Sequence, residues 1–248
     1  MSRVVVVSGG GTGIGRAVAA SCAKDGDTVV IVGRRADVLA VTAEEIGAHP
    51  IVADVGEVSD AERVASEVHE RFGRVDVLVN NAGGNAVLAL PDPGPEVGPV
   101  ARASAAWTAN FKSNVLTAVH LTEALRDLLA DDARVVLLSS IAAFRGSGSG
   151  SYGGSKAALH PYAIDLAAAL GPRGITVNVV APGYTTETEF FADTMTDQRH
   201  EMLVGQALNK RPGHTDDVAA TISWLTSPSA GHVTAQIIQV NGGALPGR

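Results

Sequence analysis

Tyr152 and Lys156, four residues apart, carry the clearest chemistry in this 248-residue chain. On a helix that spacing puts both side chains on one face, with Cβ atoms roughly 5–6 Å apart. A free phenol, with a pKa of about 10, trades protons poorly near neutrality, and a neighbouring ammonium stabilises its ionised form. Tyr152 is therefore a candidate general acid or base. Upstream, an apolar run ends in Ser139-Ser140, where a hydroxyl can hold a substrate oxygen and stabilise its developing charge. Near the start, Ser8-Gly9-Gly10-Gly11-Thr12-Gly13-Ile14-Gly15 lies between the apolar run Val4 to Val7 and a helix pattern. Such a turn aims backbone N–H groups and a helix dipole at a pyrophosphate, and glycine removes the Cβ that would block close approach. A nucleotide-hydrolysing P-loop needs Lys and Ser/Thr after its last glycine; here Arg16 and Ala17 follow, which argues against that chemistry.

The elements that must position these residues are legible as alternating patterns. Short apolar, β-branched runs recur at Val4 to Val7, Val29 to Val32, Ile51 to Ala53, Val75 to Val79, Arg134 to Leu138, Ile175 to Val180 and Ile237 to Val240. Nearly continuous apolarity suits strands buried on both faces. Helical patterns intervene, including Ile14 to Lys24, Ala61 to Phe72, Trp107 to Ala130, Tyr152 to Leu170 and Asp216 to Leu225. Strand–helix alternation implies right-handed crossovers and parallel pairing. The expected fold is α/β: a Rossmann-like, doubly wound, seven-stranded parallel sheet with helices on both faces, one domain over 1–248. Two long loops break the rhythm. One is Gly83 to Ser104, with Pro91, Pro93, Pro95 and Pro99; the other runs from Ala181 to about Thr215, with a short helix near Asp197 to Gln206. Both follow strand carboxyl ends, where such sheets bind ligands.

Composition narrows the function. Nineteen basic against 26 acidic side chains give a net charge of −7, which repels a polyanion, so nucleic acid is not expected as a partner. The single cysteine, Cys22, excludes an internal disulfide and a cysteine-built zinc site. The seven histidines form no ligand-spaced pair, and no metal is expected; His160 and His200 read as ordinary helix residues. With no apolar stretch near the roughly 18 residues a membrane span needs and no signal-like start, a cytoplasmic protein without membrane contact is expected.

Gly9, Gly13 and Gly15 give Gly-x-x-x-Gly-x-Gly after a hydroxyl residue. With Asn80-Asn81-Ala82-Gly83, Tyr152-x-x-x-Lys156, Pro182-Gly183 and Asn241-Gly242-Gly243 in order, the whole chain resembles the short-chain dehydrogenase/reductase family. That resemblance implies hydride transfer between a nicotinamide cofactor and a small carbonyl or alcohol substrate, with Tyr152 as acid/base. Lys156 would lower the tyrosine pKa and hydrogen-bond the nicotinamide ribose. Ser140 matches the second serine of the family's strand-end pair, although counting back from Tyr152 by the longer spacing of many members reaches Ser139. Asn114, seven residues after Trp107, matches the asparagine that holds a water beside the lysine, with Asn110 the near alternative. The remaining cofactor contacts implied are Ser8, Gly9, Gly13, Ile14 and Gly15 at the pyrophosphate, Asp54 and Val55 at the adenine, Asn81, Ala82 and Gly83 at the adenosine ribose, and Pro182 and Gly183 over the nicotinamide. Glu187 stands where many members have a carboxamide-binding threonine, leaving Thr185 and Thr188 as candidates. A lid at about 184–211 and a homotetramer, with a dimer as the smaller alternative, are also implied.

The second strand ends in Gly33-Arg34-Arg35, where an NAD enzyme usually offers an acid to the ribose 2′-hydroxyl. Arginine instead clasps a 2′-phosphate, so NADP(H) is favoured, with Arg34 ahead of Arg35; Asp37 as a partner for either keeps NAD(H) open. The expected function is a ketone or aldehyde reductase, 3-oxoacyl thioesters among its possible substrates. The alternative is a non-catalytic NADP(H)-sensing regulator, which the joint presence of Ser, Tyr, Lys and Asn candidates disfavours.

Overall fold

The computed structural model describes residues 2–146, 148–190 and 195–246. All seven anticipated strands form: β1 (Val4–Ser8), β2 (Thr28–Gly33), β3 (His49–Val52), β4 (Val75–Asn80), β5 (Leu129–Leu138), β6 (Thr176–Pro182) and β7 (Ile237–Val240). They pair in parallel in the order β3-β2-β1-β4-β5-β6-β7. The order reverses between β1 and β4, which opens a crevice at their carboxyl ends.

Helices cover both faces, and the period-2 alternation of the strands feeds a core on each side. Val6, Leu78, Val135, Leu137, Val177 and Val179 point to one core, with α3 (Val58–Phe72), α5 (Thr117–Leu125) and α6 (Gly150–Leu170). Val5, Val7, Val77, Val79, Val136, Leu138 and Val180 point to the other, with α1 (Gly13–Lys24), α2 (Ala36–Ile46) and α8 (Thr215–Leu225). Leu121, Leu137 and Ile222 are fully buried. Each such side chain contributes about 2–5 kcal/mol over alanine, large against a domain stability of about 5–15 kcal/mol.

The helix expected over Trp107 to Ala130 differs in its bounds. Its first part, α4 (Pro99–Phe111), starts eight residues earlier, inside the expected loop, because Pro99 is suited to a first helical turn. A π-helical turn over Lys112–Leu116 links it to α5, which ends at Leu125. Strand β5 begins at Leu129, well before Arg134, and its register on β4 shifts between Val75 and Val77. Within the second long loop, α7 (Asp197–Gln206) forms where a short helix was expected.

Candidate active site

The expected site residues gather at the carboxyl ends of β1 to β6. The turn after β1 requires its glycines: a Cβ on Gly15 would stand 2.2 Å from the Gly9 carbonyl oxygen and 2.5 Å from Asn81 Nδ2, and Gly9 holds φ +66°. Asn81 stitches this turn to β4, its Nδ2 donating to the carbonyls of Ser8 (3.0 Å) and Gly9 (3.2 Å). The Ser8 hydroxyl accepts from the amides of Asn81 (3.1 Å) and Ala82 (3.0 Å), so its place in the site is a brace between β1 and β4. Ile14 packs onto the core beneath α1. Thr12, the residue that precedes helix α1, makes no side-chain cap, and the first turn of the helix carries no acid. Its first N–H groups are thereby left for an anion.

At the end of β3, the Asp54 carboxylate accepts from Gly56 N at 3.0 Å and Val55 is buried, so this corner is held by a local turn. At the end of β6, Gly183 N donates to Val240 O at 2.9 Å, and a Cβ on Gly183 would stand 2.7 Å from Asn241 Cβ. Pro182 pairs with Val240.

Tyr152 lies near the start of α6 and is buried. Burial pushes its phenol up to about 12, against the lowering expected from Lys156, and it is a hydrogen bond with Ser140 that pulls the other way. Lys156, one turn on, is also buried, and burial pulls its ammonium down to about 8. Its Nζ donates to the Leu138 carbonyl at 2.7 Å, the one hydrogen bond it makes among the described residues. Two N–H donors of a buried lysine thus remain for ligand hydroxyls. The serines divide cleanly. Ser139 Oγ donates to the Lys156 carbonyl at 3.1 Å and meets His160 Nε2 at 2.8 Å, whereas Ser140 caps a short 3₁₀ turn, accepts from Ala142 N at 3.1 Å and lies beside the tyrosine.

Asn114 sits in the π-helical turn, buried. It exchanges two 2.9 Å hydrogen bonds with the backbone of Gly84 and donates to Asn110 O and Ser155 Oγ. A Cβ on Gly83 would stand 2.5 Å from Asn114 Oδ1 and 3.2 Å from Lys156 Nζ, so the end of β4, the π turn and α6 converge at one point. Asn110 is turned to Ala86 N and Ser151 Oγ and braces the following loop.

Several contacts had no sequence signal. His160 and His200 are partnered, the latter by Tyr184 OH at 2.8 Å. Arg34 is exposed and makes no side-chain hydrogen bond among the described residues. Arg35 stands beside the glycine turn, 3.4 Å from Thr12 Oγ1, and its partner is Glu189 of the lid loop, at 3.0 and 2.7 Å, in place of the expected Asp37. Glu187 adopts a left-handed φ of +62° and accepts from Thr215 Oγ1. It is turned toward α8, while Thr185 is buried and Thr188 packs against Gly13. Phe190 lies against Tyr152 with ring centroids 5.2 Å apart. Of the anticipated lid, residues 191–194 lie outside the described residues.

Residues 9–244 match the family described as Enoyl-(Acyl carrier protein) reductase. An oxidoreductase of Methylorubrum extorquens is 34% identical over 97% of both chains, and the acetoacetyl-CoA reductase of Allochromatium vinosum is 29% identical over 98% of both. A short-chain dehydrogenase of Burkholderia cenocepacia, solved in complex with NADP, superposes with a TM-score of 0.84 at 30% identity, covering 98% of this chain and 97% of that one. The chain belongs to the short-chain dehydrogenase/reductase family. It is an oxidoreductase of that family.

Proposed function

We propose that this chain reduces a ketone or aldehyde with NADPH, reversibly as an alcohol dehydrogenase, with Tyr152 giving the proton. The observation that carries the reading is the buried Tyr152–Lys156 pair with Ser140 against the phenol. When bound, NADPH supplies the hydride to the carbonyl carbon. Ser140 donates a hydrogen bond to the carbonyl oxygen as negative charge develops there. Tyr152 passes its proton to that oxygen, and the Lys156 ammonium offsets the charge left on the phenolate. Asn114 fixes the Gly84 backbone beside Lys156, and the family resemblance gives it the water that resupplies the proton of the lysine. Arg34 and Arg35 supply the positive charge for the 2′-phosphate. Thr185 and Thr188 are the hydroxyls available to the carboxamide. A 3-oxoacyl thioester is a fitting substrate class, since the acetoacetyl-CoA reductase is a full-length relative.

Absorbance at 340 nm with NADPH or NADH and a panel of ketones, aldehydes, 3-oxoacyl and enoyl thioesters tests this. Expected is NADPH consumption with a carbonyl substrate, lowered about 10²–10⁴-fold in Tyr152→Phe with cofactor affinity retained. Tight NADPH binding with no turnover across the panel would favour a sensing regulator. Turnover of enoyl thioesters alone would move the reaction to a carbon–carbon double bond.

The protein also reads as a cytoplasmic homotetramer, or a dimer as the smaller assembly. Among the described residues no helix is long and apolar enough to cross a membrane. Helix α4 buries one residue, Asn110, and leaves Val100, Trp107 and Phe111 exposed at i, i+7 and i+11, with Ile164 of α6 also exposed. One stripe of large apolar side chains on a helix is what a subunit contact needs.

A further inference from the structure

Residues 188–190 of the lid loop touch three parts of the candidate cofactor site in succession. Thr188 packs on Gly13 of the glycine turn, with its Cγ2 3.5 Å from where a Cβ on that glycine would stand. Glu189 forms a two-pronged ion pair with Arg35, at 3.0 and 2.7 Å. Phe190 lies on the Tyr152 ring. The middle contact is chemically unlike the others. Arg35 closes the carboxyl end of β2, where the ribose substituent of a dinucleotide is read in this fold. A guanidinium forks a carboxylate and a phosphate with the same geometry, so the two anions compete for one set of N–H donors. Both partners are more than half exposed, at 52% and 60% of their side chains. A pair in that setting is weak and open to exchange.

We propose that Glu189 is a latch on cofactor choice: its carboxylate occupies Arg35, and a 2′-phosphate takes its place and releases the lid loop from the end of β2. The inference rests on the NADP(H) reading above and assigns Glu189 a role in binding, with no part in proton or hydride transfer. A 2′-phosphate that takes the Arg35 fork breaks the pair, whereas a free 2′-hydroxyl leaves it intact. Glu189 therefore lowers affinity for the phosphorylated cofactor and couples its binding to loop movement, since a ligand shifts an equilibrium only by its differential affinity for the two states.

Calorimetric titration with 2′,5′-ADP and 5′-AMP tests this without turnover. In Glu189→Gln, 2′,5′-ADP should bind roughly two- to fivefold tighter, the range an exposed ion pair supports, and 5′-AMP should be unchanged. The gain should vanish when the same substitution is made in an Arg35→Ala background. Backbone hydrogen exchange across residues 186–190 of the unmodified protein should rise with 2′,5′-ADP and stay flat with 5′-AMP. Equal gains for both nucleotides, no gain with the phosphorylated one, or a loss of 5′-AMP affinity, which would make Glu189 a ribose-hydroxyl acceptor, each overturns the latch. If the unmodified protein binds 2′,5′-ADP no better than 5′-AMP, the NADP(H) reading itself fails; if it does bind better and Glu189→Gln gains nothing, the latch alone fails.

Discussion

Burial moves the two members of the Tyr152–Lys156 pair in opposite directions, the phenol up to about 12 and the ammonium down to about 8. In each case it disfavours whichever form is charged. Lys156 is therefore the group that titrates within an enzyme's working range. As pH rises through about 8 its charge is lost, and with it, in the proposed reaction, the stabilisation of a nascent tyrosinate. We expect kcat/KM for carbonyl reduction to be level below about pH 8 and to fall about tenfold per unit above it. Initial rates across a pH series check this, and Lys156→Arg, always charged, should lose the break at 8 whatever its absolute rate. The same shifts bear on stability. Between about 8 and the ordinary 10.5 of lysine, the unfolded chain binds more protons than the folded one, so the Lys156 contribution to stability rises with pH. Between the ordinary 10 of tyrosine and about 12 the folded chain holds the proton, and the Tyr152 contribution falls as pH rises.

At the scale of elements, the turn between β1 and α1 is the least forgiving. Gly15→Ala would drive a methyl group into the Gly9 carbonyl and the Asn81 amide. The backbone there cannot yield without moving β4. We expect this variant to lose nucleotide binding and several degrees of thermal midpoint, read by titration and by scanning calorimetry. The glycine pattern was legible in the sequence because a steric demand leaves a residue type behind. So were the strands, whose Val and Ile runs are dictated by burial on two faces. The start of α4 was not, because Pro99 reads equally as a loop residue and as a first-turn helix residue. That Ser139 faces His160 while Ser140 stands beside Tyr152 depends on the packing of α6 on β5, which spacing along the chain does not encode. Arg35 and Glu189 are 154 positions apart, and neither residue type marks the other.

At the scale of the whole molecule, the two faces of the sheet are covered, while α4 keeps Val100, Trp107 and Phe111 exposed along one stripe. A charge on that stripe should block assembly without touching the core. Phe111→Asp is expected to shift the protein to a smaller species in sedimentation velocity while its circular dichroism stays native. The bond from Lys156 Nζ to the Leu138 carbonyl has a different consequence. It bolts the end of β5 to the first turns of α6, so the relative placement of Ser140 and Tyr152 is fixed through space. The chain between them includes exposed Phe144, Gly146, Gly148 and Gly150 and is relieved of that duty. One residue more or fewer in that exposed stretch would therefore leave Ser140 and Tyr152 facing each other, because their contact does not depend on the length of chain between them.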